Sequence, residues 1–126
     1  MTGATYDAGA LIAAERNSEA MWAYHRRLLA NGLRPALSAA VLGQVWRGGP
    51  QARLSQLLRG CRIVPLDEDQ ARVAGAALAC SGTDDLIDAV VVLGALARGG
   101  LVVTSDADDL RRIARAIGRR LFIYEV

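Results

Sequence analysis

The chain has 126 residues, enough for one domain with a real core. Apolar residues make up 52% and the formal charge is only +2, which argues against disorder and against a nucleic-acid binder driven by bulk charge. There is no Lys, so no step here can use one, and all 15 Arg offer planar forks suited to phosphate and carboxylate.

Short apolar runs alternate with longer helical patterns, and no linker, low-complexity tract or repeat interrupts them. Residues 1–126 therefore read as a single domain. The first strand, 4–6 (ATY), is the weakest by composition. Helices follow over 9–16 and over 18–32, the second with Ser18 at its start. A strand over 34–38 leads into helices over 39–48 and 50–60, with Pro50 suited to a first helical position. A strand over 62–66 precedes helices over 67–80, opened by Asp67, and 83–100. The strand LVVT (101–104), a helix over 106–118 and a strand over 120–125 complete the order. Gly32, Gly60, Gly99 and Gly118 suit helix C-caps. This alternation predicts an α/β fold, a three-layer α/β/α sandwich around a mainly parallel five-stranded sheet. Ligands of such sheets sit beyond the carboxyl ends of the strands.

Cys61 and Cys80 lie in apolar stretches without CxxC spacing, which predicts reduced core thiols rather than a zinc site. No segment reaches the roughly 18 apolar residues of a membrane span, and the N-terminus lacks an export signal, so a cytoplasmic protein is expected. His25, in the polar stretch YHRRLL, is expected at the surface. Trp22 and Trp46 suit core or dimer packing; base stacking is the alternative for both and for Tyr24.

The acids carry the chemical signal. Asp106, Asp108 and Asp109 gather just where the strand 101–104 ends. Ser105 or Asp106 suits a cap for the following helix, and Asp108 and Asp109 suit its first turn. Asp88 lies in DDLIDAVVVLGALA, apolar nearly all round, where a lone carboxylate is costly unless it is paired or metal-bound. Asp85 sits three residues earlier, and Asp84 suits a first-turn acid after Thr83. Asp7 follows the first strand, where it suits an N-cap. If the strands ending at Asp7 and Asp106 are neighbours, their carboxylates converge. Converging carboxylates raise one another's pKa, and a hard divalent cation relieves them.

YDAGALIAAER, DLIDAVVVLGALARGGLVVTSDADDL and the closing RLFIYEV together resemble a PIN domain, specifically a VapC-type toxin of bacterial toxin–antitoxin pairs. The resemblance spans nearly the whole chain. It implies an endoribonuclease that uses Mg²⁺ or Mn²⁺, with Asp7, Asp88 and Asp106 as catalytic metal-site acids. Asp109 and Asp85 are accessory candidates. The family's usual Glu in the helix after the second strand is Gln44 here, which puts a two-metal mechanism in doubt. Asp7 and Asp88 would hold one cation, directly or through water, and Asp106 would complete the site or position the attacking water. Thr104 or Ser105 would hydrogen-bond a carboxylate or phosphate, or serve only as strand-end hydroxyls. Arg47, Arg98, Arg111 and Arg112 are candidates to grip the RNA backbone. The resemblance also implies a homodimer and a VapB-type antitoxin, with DNA contacted only through that antitoxin.

Other acidic α/β folds fit less well. A receiver domain needs a lysine, a haloacid-dehalogenase-type phosphatase needs an early DxD, and a dinucleotide oxidoreductase needs GxGxxG after its first strand. None is present. The serious alternative is a PIN-like module that binds RNA or a partner without cutting, with Gln44 as its support.

Overall fold

Thr5–Tyr6 (β1) pairs in parallel with two strands at once, Ala36–Ser38 (β2) and Leu101–Thr104 (β4). Arg62–Val64 (β3) and Phe122–Glu125 (β5) close the two edges, giving a five-stranded, all-parallel sheet of order β3-β2-β1-β4-β5. The protein was analysed as a computed structural model that describes residues 3–126. Among the described residues seven helices connect the strands: Ala8–Glu15 (α1), Glu19–Ala30 (α2), Ala39–Val45 (α3), Ala52–Arg59 (α4), Glu68–Ser81 (α5), Leu86–Ala97 (α6) and Asp108–Ala116 (α7).

Parallel strands need crossovers, and right-handed crossovers decide which face each helix covers. The chain steps outward from β1 to β2 to β3, then returns across the sheet to β4 and β5. That reversal places α1–α4 on one face and α5–α7 on the other. Accordingly α1 packs on β1 and β4 beside α2, α3 and α4, while α6 packs on β1, β2 and β4 beside α5 and α7. The expected three-layer α/β/α sandwich is the observed one. Tyr6, Leu37, Val102 and Val103 are fully buried between the layers with Leu11, Val92 and Ile113. The reversal also makes the gap beyond β1 and β4 a topological switch point, the usual ligand crevice of an open parallel sheet.

Helix starts depart from the sequence reading where a side chain captures a backbone N–H. Asp85 Oδ1 accepts from Asp88 N at 3.0 Å, so α6 begins at Leu86 and residues 83–85 are not helical. Pro50 lies before the cap of α4, whose N-cap is Gln51. At α5 the expectation holds: Asp67 and Gln70 form a reciprocal capping box. Ala107, not Ser105 or Asp106, is the N-cap of α7. Gly60 is right-handed (φ −88°) rather than a left-handed cap.

Three residue placements are corrected. His25 is buried, not at the surface: its Nδ1 hydrogen-bonds the Tyr6 hydroxyl at 2.8 Å, and Trp22 meets its ring edge-on. Neighbouring arginines in YHRRLL mask an imidazole that turns inward. Cys80 is exposed, whereas Cys61 is buried, and both are free thiols. Trp46 is 43% exposed, so it is not a core residue, while Trp22 is half-buried with its indole N–H donating to Ala14 O at 3.0 Å. Among the described residues no helix is long and apolar enough to cross a membrane.

Candidate acidic site

The carboxyl ends of β1 and β4 supply the site's floor. The register Tyr6↔Val103 carries Asp7 opposite Thr104, and Asp7 N donates to Val103 O at 3.3 Å. Asp7 is 8% exposed and is also the N-cap of α1, its Oδ1 accepting from Ala10 N at 3.0 Å. Its other oxygen accepts from the fully buried Thr104 hydroxyl at 2.5 Å. Thr104 Oγ1 in turn accepts from Asp106 N at 3.0 Å. One hydroxyl thus ties the first acid to the backbone of the third.

Gly9 makes this arrangement possible. A Cβ there would sit 2.5 Å from Ser105 Oγ and 2.9 Å from Ser105 N. Only a glycine lets α1 begin this close to the turn after β4.

Asp88 enters from the first turn of α6, on the other side of the crevice. It is half-buried, not sealed in an apolar interior as the sequence pattern suggested, because α6 starts only two residues before it. Burial, and then the nearby carboxylates of Asp85, Asp109, Asp7 and Asp106, push its carboxyl up to about 6. Burial also raises the Asp7 carboxyl, with Asp106 adding to the rise; the bonds from Thr104, Ala10 and Gly9 oppose it. The field at Asp88 thus comes from Asp85, Asp109, Asp7 and Asp106, and that at Asp7 from Asp106. Asp106 and Asp109 are exposed at the crevice mouth, and Asp85 is engaged as the α6 cap.

No ion pair among the described residues neutralises this charge. Among the described residues the ion pairs are Arg72–Glu68 at 2.8 Å and Arg111–Glu125 at 3.4 Å, and neither touches the five acids. An arginine partner for Asp88, the bland reading of a buried carboxylate, is absent among them.

Whether these residues suit a divalent cation follows from their chemistry. All are hard oxygen donors. No three His, Cys, Asp or Glu side chains among the described residues stand close enough to enclose a metal by themselves. Mg²⁺ does not require that, since it is commonly held by one or two carboxylates and keeps several waters. The donor set fits such a cation held largely through water.

Gln44 is exposed on α3. Two of the arginine candidates are engaged within the chain. Arg47 donates to the carbonyls of Gln44 at 2.7 Å and Trp46 at 2.8 Å, closing the end of α3. Arg98 is half-buried at the far end of α6 and donates to Thr5 Oγ1 at 3.0 and 3.2 Å. Arg111 holds Glu125 at the surface, and Arg112 is exposed on α7. Sequence reasoning missed Gly9, whose signal is its place directly after the Asp7-Ala8 pair.

An all-parallel sheet with acids gathered at its switch point defines a class, and the comparisons give it a family. The PIN domain family model matches residues 5–116. The chain belongs to the PIN domain family. Among solved structures it is similar to a chain of VapBC2 from Rickettsia felis bound to a DNA fragment from its promoter. That match has a TM-score of 0.72 and 17% identity, covering 98% of each chain. It is also similar to a chain of DNA-bound VapBC from Salmonella typhimurium, with a TM-score of 0.69, 19% identity and coverage of 99% of this chain and 98% of that one. At these identities the likeness is one of fold. No curated protein sequence matches the chain at a significant level.

Proposed function

We propose that the chain is a VapC-type toxin, a divalent-metal-dependent endoribonuclease of the cytoplasm, working against a VapB-type antitoxin. The observation that carries the reading is a crevice where the carboxylates of Asp7, Asp85, Asp106 and Asp109 surround Asp88 and raise its proton affinity, with no ion pair to any of the five among the described residues. Such charge favours a bound divalent cation and disfavours bare phosphate, so substrate entry and metal binding go together. The whole-chain likeness to VapBC chains supports the toxin–antitoxin setting.

In this mechanism Asp7 and Asp88 would hold the cation, directly or through water, and Asp106 would orient the water that attacks the phosphorus. When bound, Mg²⁺ or Mn²⁺ polarises a phosphoryl oxygen and lowers the pKa of water. Thr104 fixes the Asp7 carboxylate, so its role is to position rather than to react. Asp109 lines the mouth, and Asp85 shapes the start of α6. A homodimer, and DNA contact only through the antitoxin, complete the reading.

Gln44 favours a second reading, a PIN-like module that binds RNA or a partner without cutting. It carries an amide where the family pattern has a carboxylate. Incubating total RNA with the protein and Mg²⁺ or Mn²⁺, against EDTA, separates the two. Metal-dependent cleavage that vanishes in Asp7→Ala and Asp88→Asn is expected. Intact RNA with every metal tried overturns the nuclease reading in favour of the binding module.

A further inference from the structure

At the opposite end of α1 from Asp7 lies a second recess, of about 290 Å³, lined by Asn17, Glu19, Trp22, Arg26, Arg53 and Gln56. Its composition is unlike that of a packing defect. It joins one indole, two guanidinium groups and two side-chain amides, brought together from the turn after α1 and from helices α2 and α4. Neither Arg26 nor Arg53 is in an ion pair among the described residues; Glu19 shares the recess but stays beyond ion-pair distance of both. Arg53 makes only a long contact, 3.5 Å, to Glu15 O. The indole is fixed, since its N–H is spent on Ala14 O and the His25 ring lies perpendicular to it, 5.8 Å away. A ring held in this way keeps its orientation without a ligand. Asn17 at the rim has φ +63°, an uncommon backbone state for a non-glycine residue.

We propose that this recess binds a single nucleotide unit of RNA, its base stacked on Trp22 and its phosphate gripped by Arg26 and Arg53. Stacking on an aromatic ring is the usual way a protein holds an unpaired base, and paired Arg forks suit a phosphate. The amides of Gln56 and Asn17 and the Glu19 carboxylate can meet base edges or a ribose hydroxyl. The site rests on the RNA reading above and adds a place where the strand is held away from the acids. From Asp7 to Asn17 is ten residues, about 15 Å of helical rise, so only a strand of several nucleotides reaches both.

The test reads binding alone, so it stands or falls separately from cleavage. Trp46→Phe leaves Trp22 as the only tryptophan, and its fluorescence is titrated with AMP in EDTA. Saturable quenching is expected, with roughly ten-fold weaker binding in the Arg26→Gln/Arg53→Gln double variant. Adenosine, lacking the phosphate, is expected to bind both proteins equally weakly, and added salt to weaken AMP but not adenosine. Circular dichroism checks that the double variant is folded. Quenching that is absent, or that is indifferent to the arginines, overturns the proposal and leaves the recess to a protein partner. Cleavage that fails while AMP binds would overturn the nuclease reading alone.

Discussion

Replacing Asp88 by Asn removes one charge from the crevice while keeping the side chain's shape and the backbone bond to Asp85. In the metal-free protein this change is expected to stabilise the fold. The gap between the ordinary carboxyl value of 3.8 and the value of about 6 reached here corresponds to about 3 kcal/mol at neutral pH. Asp88 is only half-buried, so solvent screening reduces this to ~1–2 kcal/mol. Losing an anion from the first turn of α6 gives back ~0.5 kcal/mol. The net gain is about 1 kcal/mol, a rise in melting temperature of roughly 3–6 °C. Because the folded value lies above the unfolded one, the native state holds an extra proton between 3.8 and about 6. Wild-type stability from this group is therefore full below that window and is lost as pH rises through about 6. Urea denaturation in EDTA across this range is the assay. The wild-type and Asp88→Asn curves should coincide at the acid end and separate towards neutral pH, and Mg²⁺ should narrow the gap. A variant less stable than wild type at neutral pH, by an amount independent of pH, would refute the reasoning, since the carboxylate would then be making a structural pair.

Three further outcomes are expected. Gly9→Ala should cost about 1–3 kcal/mol and depress RNA cleavage, because its Cβ meets the Ser105 backbone at 2.9 Å; removing the hydroxyl with Ser105→Ala should not rescue it, and rescue would count against a backbone clash. Gln44→Glu should tighten Mn²⁺ binding measured by calorimetry or raise activity, and an unchanged titration argues that this position is remote from the cation. Burial, and secondarily Arg26, hold the His25 imidazole below its ordinary range. That contribution is present above the ordinary value of 6.5 and is lost as pH falls through the lower folded value; NMR titration of the ring and acid unfolding of Tyr6→Phe check it.

The layer architecture was legible because alternating apolar runs leave few ways to bury a parallel sheet. The site acids were legible one by one, since each stands at an element boundary. Their convergence was legible only as a condition, that the strands ending at Asp7 and Asp106 be neighbours, because Asp7 meets Thr104 across 97 positions of sequence. Helix starts were misplaced where a local bond overrides pattern, as Asp85 does for α6. His25 was misread because the two arginines that follow it face water while it faces Tyr6 and lies against Gly60. Arg47 and Arg98 look like free cations in the sequence, yet each is consumed by oxygens of its own chain. Arg26 and Arg53 look equally ordinary, and only the packing of α2 beside α4 brings them to one recess.

The two-residue strand β1 has a consequence for the protein's birth. It has no partner of its own until β2 is made, and its other flank stays open until β4 has been synthesised. A growing polypeptide therefore carries Asp7 long before Thr104 and Asp106 exist to orient it. Translation order keeps the acid cluster unassembled on the ribosome, and the chain acquires its complete crevice only after the segment through residue 109 has emerged.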